Sequence, residues 1–112
     1  MSKPIYQLWM IRNHPTTAAY EVLSETQKKA FWEQNEMSNK RLGARELLSC
    51  DCAWSNETYA GWGISQFPDV AARIEHTRDL QKAGWFRIVD AFTLLGTAEA
   101  EPKAVTFPNP IY

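Results

Sequence analysis

The sequence is poor in the residues that most often hold metals or form disulfides. It has two cysteines, Cys50 and Cys52, and two histidines, His14 and His76. A structural zinc site needs four ligands, most often cysteine and histidine, so we expect no metal site. Two cysteines at positions i and i+2 of a strand lie near the upper limit of Cα separation for a disulfide. We therefore expect free thiols, as in a cytoplasmic protein.

Charge of one sign and long apolar runs are scarce as well. The chain carries 12 Lys+Arg against 13 Asp+Glu, whereas nucleic-acid binding usually needs a basic patch or stripe. No apolar run approaches the roughly 18 residues of a membrane span, and "MSKPIYQLW" at the N-terminus has no signal-peptide pattern. The sequence thus predicts neither a nucleic-acid partner nor a membrane partner. It also lacks a glycine-rich phosphate loop and a nucleophile elbow, which argues against nucleotide use and triad hydrolysis.

The 112 residues, 45% of them hydrophobic, fit one domain. Alternation over residues 5–12 predicts a strand. Ser24 and Gln27 have the spacing of a capping box, so a helix is expected to begin there and to end near Gly43. A second helix should begin at "FPD", where proline is tolerated in the first turn, and should end at Gly84.

Three further strands complete the predicted architecture. Residues 47–54 and 58–65 form a hairpin around "SNE", and residues 85–94 form the last strand. The order β-α-β-β-α-β predicts an α+β, ferredoxin-like domain over residues 1–95, with a four-stranded antiparallel sheet and both helices on one face. Residues 96–112 carry three prolines and are expected to form an extended C-terminal arm.

The two helices differ in how clearly they show an inner face. The line of the second helix that we expect against the sheet is formed by Val70, Ile74, Thr77 and Gln81. His76 lies beside this line and is expected at the rim or on the surface. Trp32 on the first helix belongs to no apolar line, so we expect it to be exposed or at an interface.

The register of the hairpin decides the role of the cysteines. A turn at "SNE" opposes Cys50 with Trp62 and Leu48 with Ile64, and side chains on one face recur every second residue. Cys52 shares this apolar face, which we expect to pack beneath the helices, so both cysteines are predicted to be core residues. A slip of one residue would exchange the two faces.

The opposite face of the sheet, expected to be bare, is predicted to carry the functional site. The candidate proton-transfer residues are Asp51, Tyr59, Asp90 and, from the loop after the first strand, His14. The candidate ligand-binding residues are Gln7, Trp9, Gly61, Gly63, Phe86 and Phe92. Apolar walls with a few convergent polar groups are typical of a small-molecule pocket.

Each of these candidates has a purely structural alternative, which the sequence leaves open. Gly61 and Gly63 either leave space for a ligand or admit large side chains from a partner subunit. Asp51 and Tyr59 either act on a substrate or simply hydrogen-bond each other. His14 is either a general acid or base at the pocket mouth or an ordinary exposed loop residue.

The helix opening "FPDVAARI" and the "AGW" before the last strand, with the element order and the length, resemble the dimeric α/β-barrel superfamily. The resemblance covers about residues 4–95 and is greatest for small members of uncharacterised function. It implies a homodimer in which two sheets enclose a barrel. Known members include cofactor-independent monooxygenases, polyketide cyclases, muconolactone isomerases, haem-dependent chlorite dismutases and stress-responsive proteins.

This resemblance leads to two functional expectations. The first is a cofactor-independent oxygenase, cyclase or isomerase that acts on a small aromatic or polyketide-like compound in the barrel cavity. The second is a non-catalytic dimer that binds a small hydrophobic molecule or responds to stress. Both expect a homodimer and no cofactor. The resemblance implies no particular reaction, because one fold hosts many chemistries.

Overall fold

The computed structural model describes residues 3–16 and 18–100, and the side chains of these residues except 13–16 and 18–19. The side chain of His14 and most of the predicted arm over residues 96–112 therefore lie outside the described part. No helix among the described residues combines the length and the hydropathy that crossing a bilayer requires.

The chain forms an α+β domain around one four-stranded antiparallel sheet. Its elements are, in chain order, β1 (Ile5–Thr16), α1 (Ala18–Glu21), α2 (Glu25–Arg41), β2 (Arg45–Asp51), β3 (Tyr59–Phe67), α3 (Val70–Lys82), α4 (Trp85–Ile88) and β4 (Val89–Gly96). The strand order across the sheet is β2-β3-β1-β4. The long helices α2 and α3 lie side by side over one face of this sheet.

The ends of the long helices follow from local sequence chemistry, as predicted. The Ser24 Oγ accepts a hydrogen bond from the backbone N–H of Gln27 at 3.1 Å, and the Gln27 side chain accepts one from the Ser24 N–H at 2.8 Å. The Asp69 carboxylate caps α3 by accepting a hydrogen bond from the backbone N–H of Ala72 at 2.8 Å. Gly43 and Gly84 follow the two helices with φ of 74° and 76°, which glycine adopts without steric cost.

The last predicted strand is shorter than expected. Residues 85–94 were expected to be extended, but Trp85–Ile88 forms the helical turn α4 and only Val89–Gly96 forms β4. The left-handed backbone at Gly84 redirects the chain, and the helical turn brings Trp85 into stacking contact with Phe31, with ring centroids 5.0 Å apart. Burial of two aromatic rings outweighs the strand preference of these few residues.

Trp85 and Phe31 belong to an aromatic cluster that anchors α2 to the rest of the domain. Trp32 packs edge-on against Trp85 at 5.2 Å, and its Nε1 donates a hydrogen bond to the Tyr20 hydroxyl at 3.0 Å. The expectation that Trp32 is exposed or at an interface is therefore wrong. The adjacent residues Phe31 and Trp32 of α2 both pack against Trp85 in this cluster.

The predicted register of the β2–β3 hairpin is confirmed. Leu48 pairs with Ile64 and Cys50 with Trp62, and the Cys52 N–H donates to the Ala60 carbonyl at 2.9 Å. These side chains therefore share one face of the sheet, as expected.

The two faces of the sheet are nevertheless reversed with respect to the helices. From α3, the Arg73 Nε donates a hydrogen bond to the Gln7 side chain at 2.6 Å, and Ile11 packs against the cluster around Leu80. The helices thus cover the face of β1 that includes Gln7, Trp9 and Ile11, which was expected to be bare.

The reversal follows from the inner side of α3. Its buried residues are Arg73, His76 and Leu80, whereas Val70 and Ile74 are 56% and 47% exposed. A helix that buries a guanidinium and an imidazole needs hydrogen-bonding partners beneath it, because unpaired buried polar groups are costly. The small, polar face of the sheet supplies Gln7 for Arg73, and α2 supplies Ser38 for His76, whereas the apolar face of the sheet offers no such partner.

No described residue therefore covers the apolar face. Its central rows are Leu48–Ile64–Leu8–Leu94 and Cys50–Trp62–Met10–Phe92, and we call these eight residues the open face. Leu48, Phe92 and Leu94 are 45%, 49% and 58% exposed. The prediction that Cys50 and Cys52 are core residues beneath the helices is wrong, because the face that carries them turns away from the helices.

Candidate functional site

A cavity of about 230 Å³ lies between the helices and the sheet. Half of its sixteen lining residues are aromatic or aliphatic and half are polar, several of the polar ones buried. Its lining residues are Gln7, Trp9, Ile11, Trp32, Asn35, Asn39, Glu46, Ser65, Arg73, His76, Leu80, Trp85, Phe86, Val89, Ala91 and Thr93. A concave, largely apolar space with a few placed polar groups is the usual form of a small-molecule site.

Trp9 forms the floor of the cavity and lies flat on the sheet. A Cβ at its cross-strand neighbour Gly63 would sit 2.6 Å from the Trp9 Cε2, and one at Gly61 would sit 3.8 Å from the Trp9 Cζ3. The Trp9 Nε1 donates to Glu46 at 3.1 Å, which fixes the ring in its plane. The space left by the glycines is therefore occupied by an indole of the same chain.

Arg73 is the most unusual polar group in the wall. Its side chain is buried at 9% exposure. The Nε donates to Gln7, one Nη donates to the Thr77 hydroxyl, and the guanidinium lies 5.5 Å from the Phe67 ring centroid. Burial lowers the pKa of Arg73 from its ordinary value. None of the described carboxylates lies within ion-pair distance of it.

His76 lies one turn further along α3 and is 3% exposed. Its Nδ1 is 2.8 Å from the Ser38 Oγ of α2, and the same Oγ donates its hydrogen to the Asp79 carboxylate at 2.6 Å. Because a hydroxyl has one hydrogen and a carboxylate only accepts, Ser38 must accept from His76. The imidazole is therefore protonated on Nδ1, and Nε2 is left as a lone-pair acceptor.

The electrostatic surroundings keep this imidazole neutral. Burial is the largest effect, the charge of Arg73 is the second, and together they lower the pKa of His76 to about 4 against the opposing attraction of Asp79. The hydrogen bonds from Ser38 and Arg41 lower the pKa of Asp79, so this carboxylate stays ionised. The described hydrogen bond of this imidazole is made by Nδ1, and none of the described residues is seen to bond Nε2.

Other polar groups of the cavity complete its pattern of donors and acceptors. The Glu46 carboxylate accepts from Ser65 at 2.9 Å as well as from Trp9. The buried Oδ1 of Asn39 is an acceptor without a partner in the described part of the chain. Buried acceptors that lack a partner are uncommon, and a ligand that donates a hydrogen bond would satisfy this one.

The structure brings only part of the predicted site together. Gln7, Trp9 and Phe86 line the cavity, and Gly61 and Gly63 lie beneath the Trp9 ring. These residues do share a site, but it lies under the helices and not on the bare face where the sequence placed it.

The other candidates lie outside the cavity. Asp90 forms an exposed ion pair with Arg12 at 3.1 Å, and the Arg12 guanidinium lies 5.7 Å from the Tyr59 ring centroid. Asp51 is exposed and accepts from the N–H of Ala53 at 3.0 Å.

The structural alternative for Asp51 and Tyr59, a hydrogen bond between them, is not among the described contacts. Phe92 belongs to the open face. Asp51 and Asp90 are therefore not buried carboxylates, and no common pocket joins them. In the described part of the chain, no group of three metal-binding side chains could hold a metal ion.

Sequence reasoning missed Arg73, His76, Ser38 and Asp79. The three members on α3 recur at intervals of three residues, so they lie along one side of the helix. This polar line was as regular as the weak apolar line through Val70 and Ile74. The pairing of charged and hydrogen-bonding residues along it was the signal that could have found the site.

The fold has known structural neighbours. Over 91% of its length, the chain is similar to a crystal structure of RPA0582, a protein of unknown function from Rhodopseudomonas palustris, with a TM-score of 0.67, 19% sequence identity and 86% of that chain covered. A structure of the methylated RPA0582 protein matches with a TM-score of 0.65 and 18% identity, covering 92% of this chain and 86% of that one.

No family model and no curated protein matches the sequence. At identities this low the structural similarity concerns the fold alone. What these comparisons establish is a compact α+β domain with a four-stranded antiparallel sheet, shared with proteins of unknown function.

Proposed function

We propose that this protein is a cofactor-independent enzyme that transfers protons on a small aromatic or conjugated compound in the cavity between helices and sheet. Isomerisation, cyclisation and oxygenation without a cofactor all begin with such a transfer. The observation that carries the proposal is His76, which is held neutral with a free Nε2 in the wall of an aromatic cavity.

His76 has the arrangement that a general base requires. Its Nε2 accepts a proton from the bound compound, and the imidazolium that forms keeps its Nδ1–H on the Ser38 hydroxyl. Ser38 in turn donates to the ionised Asp79, so the new positive charge is stabilised through one intervening hydroxyl. A base oriented by a second hydrogen bond is the usual arrangement for acid–base catalysis.

The walls of the cavity favour a flat, apolar ligand. Trp9, Trp32 and Trp85 all contribute to it, and indole rings stack on planar conjugated compounds with a gain beyond area burial alone. The polar atoms in the wall that could meet a ligand include the Nε2 of His76 and the Oδ1 of Asn39. A ring with a hydroxyl or an enolisable group matches this pattern.

A second candidate function is a non-catalytic small-molecule-binding or stress-responsive protein with the same cavity. The observation that favours it is the pKa of about 4 for His76. A base of that strength accepts hydrogen bonds at neutral pH but abstracts protons poorly, because the best catalytic pKa lies near the working pH.

The decisive experiment measures the exchange of ligand C–H for deuterium in D2O by NMR. Benzoylacetone is a suitable neutral probe, since it is aromatic and has an acidic C–H. We expect the wild type to accelerate exchange and His76→Asn to lose most of the acceleration, because asparagine can still donate to Ser38 but offers no Nε2 base. Gln81→Ala, on the exposed side of α3, is the matched control and should exchange like the wild type. Binding without accelerated exchange would support the second candidate instead.

We further propose that the domain is ferredoxin-like and forms a homodimer of the dimeric α/β-barrel type through its open face. The sheet order and the helices on one face support this. None of the eight residues of the open face is charged. An uncharged apolar sheet face of this kind commonly marks an interface, and self-pairing brings no like charges together.

A further inference from the structure

We propose that the ligand of this cavity is a small aromatic or conjugated carboxylic acid, whose carboxylate is bound by Arg73. This inference rests on the proposed function, because it assumes that the cavity takes a small molecule. It adds the chemical class of that molecule and the residue that selects it.

The first observation is the lack of an anionic partner for a buried guanidinium. Arginine keeps its charge in proteins, and a buried charge is normally paired because desolvation without a counter-ion is costly. The hydrogen-bonding partners of Arg73 are the neutral side chains of Gln7 and Thr77. Among the described residues, nothing compensates this positive charge in the wall of the cavity.

The second observation is the hydrogen-bonding capacity that Arg73 retains. Its Nε and one hydrogen of Nη1 are engaged by Gln7 and Thr77, whereas a guanidinium offers about five N–H donors. The donors left over are one hydrogen on Nη1 and two on Nη2, the neighbouring nitrogens of the planar fork. Two parallel N–H groups match the two oxygens of a carboxylate, which is the strongest of the common arginine pairings.

The nearby carboxylates do not take this role. The Glu46 carboxylate is engaged by the Ser65 hydroxyl and the Trp9 indole N–H, and no ion pair joins it to Arg73 among the described residues. Asp79 is engaged on its other side by Ser38 and Arg41. The charge of Arg73 is thus left for a ligand to neutralise.

A carboxylate on Arg73 would also act on His76. The charge of Arg73 is one of the two causes that lower the pKa of His76. A bound anion offsets that charge, so the pKa of His76 rises and the imidazole becomes a stronger base once an acid occupies the cavity. The site would then gain its proton-transfer activity on binding the compound it acts on.

The test compares acids with their uncharged amides. The probes are benzoate and phenylacetate against benzamide and phenylacetamide, with binding followed by calorimetry and tryptophan fluorescence. We expect each acid to bind about tenfold or more tightly than its amide, as for hydrogen bonds to a charged group. Arg73→Gln should abolish this preference, and Arg73→Lys should keep part of it. Arg78→Gln, on the exposed side of α3 and paired with Glu75, is the matched control and should bind like the wild type.

The outcomes separate this inference from the proposed function. Amides that bind as tightly as acids would overturn the inference and leave the cavity as a small-molecule site. Failure of all four probes to bind would overturn both.

A second measurement on the wild type serves if Arg73→Gln does not fold. His76 is titrated by NMR with and without benzenesulfonate, which stays an anion throughout the titration. A rise in the pKa of His76 supports the inference, and an unchanged pKa contradicts it.

Discussion

At the scale of single residues, His76 is where the structure departs most from expectation. It was predicted at the rim, yet it is almost fully buried, with Arg73 before it and Asp79 after it on the same helix. Its neutrality is a consequence of burial and of a neighbouring positive charge. A buried neutral histidine makes stability depend on pH, because the unfolded chain binds the proton more readily.

We predict that the domain loses stability as the pH falls from about 6.5 to about 4. The pKa of His76 is about 4 in the folded protein and 6.5 in its ordinary state, so the unfolded chain carries more protons in this window. The free energy of unfolding should fall by up to about 3 kcal/mol, at about 1.4 kcal/mol per pKa unit. The charges that face His76 from its surroundings, Arg73 and Asp79, keep their state over this range.

The measurement is urea unfolding at several pH values for the wild type and His76→Asn. The variant has no imidazole at this position to protonate, so its stability should be less dependent on pH between about 4 and 6.5. Equal pH dependence in both proteins would show that His76 is not the buried neutral group described above.

Single residues also explain why the sequence predicted a pocket on the correct strands but on the wrong face of the sheet. The register at Cys50 and Trp62 could be predicted from a turn and the period of two. The face beneath the helices was predicted from the apolar character of the side that carries Cys50 and Trp62, whereas it depends on what the helices present to the sheet. A residue such as Arg73, buried through Gln7 and Thr77, has no signature in hydropathy.

At the scale of elements, the caps and turns were predictable, but the helical conformation of residues 85–88 was not. The capping box at Ser24 and the glycines after both long helices act through local backbone geometry, which a short window of sequence contains. The helical turn at Trp85 instead depends on contact with Phe31, more than fifty residues away in the chain. Long-range aromatic packing of this kind overrides strand preference and cannot be read from the local pattern.

The contact between α2 and α3 joins the interior of the domain to its outside surface. Ser38 from α2 connects His76, which lines the cavity, with Asp79, which pairs with the exposed Arg41. Two helices that pack through such a chain of hydrogen bonds have a defined register relative to each other. The arrangement that orients the proposed base therefore also contributes to holding the helix layer in place.

At the scale of the whole molecule, the open face determines how the domain behaves in solution. Eight apolar or sulfur-containing residues form a continuous surface across all four strands. An isolated domain of 112 residues with such a face is expected to associate, because burying it removes apolar surface from water. The proposed occupant is a second copy of the chain.

We predict that the protein sediments as a dimer and that Leu94→Glu converts it to a monomer. Leu94 is 58% exposed in a central row of the open face, and the substitution would place two carboxylates in the paired interface. Analytical ultracentrifugation measures the outcome, with Val22→Glu as the matched control at an 81% exposed position outside the sheet. A wild-type protein that is monomeric at micromolar concentration contradicts the dimer.

The architecture of the whole domain was the most predictable level and the location of its site the least. An alternation of strand and helix signals was enough for a four-stranded α+β domain. The resemblance to dimeric barrels placed the expected cavity between two sheets, whereas the cavity described above lies within one chain, beneath its own helices. The two locations differ in the tryptophans that surround them.

The central claim is that this inner cavity is the ligand site, and the five tryptophans test it directly. Trp9, Trp32 and Trp85 line the cavity, Trp62 lies on the open face, and Trp54 is exposed near the hairpin turn. The measurement is a titration of the ¹⁵N-labelled protein with phenylacetate, followed through the indole N–H resonances. We predict that the three cavity indoles shift together while Trp54 and Trp62 stay in place. A shift of Trp62 without the cavity indoles would place the ligand on the open face and contradict the account.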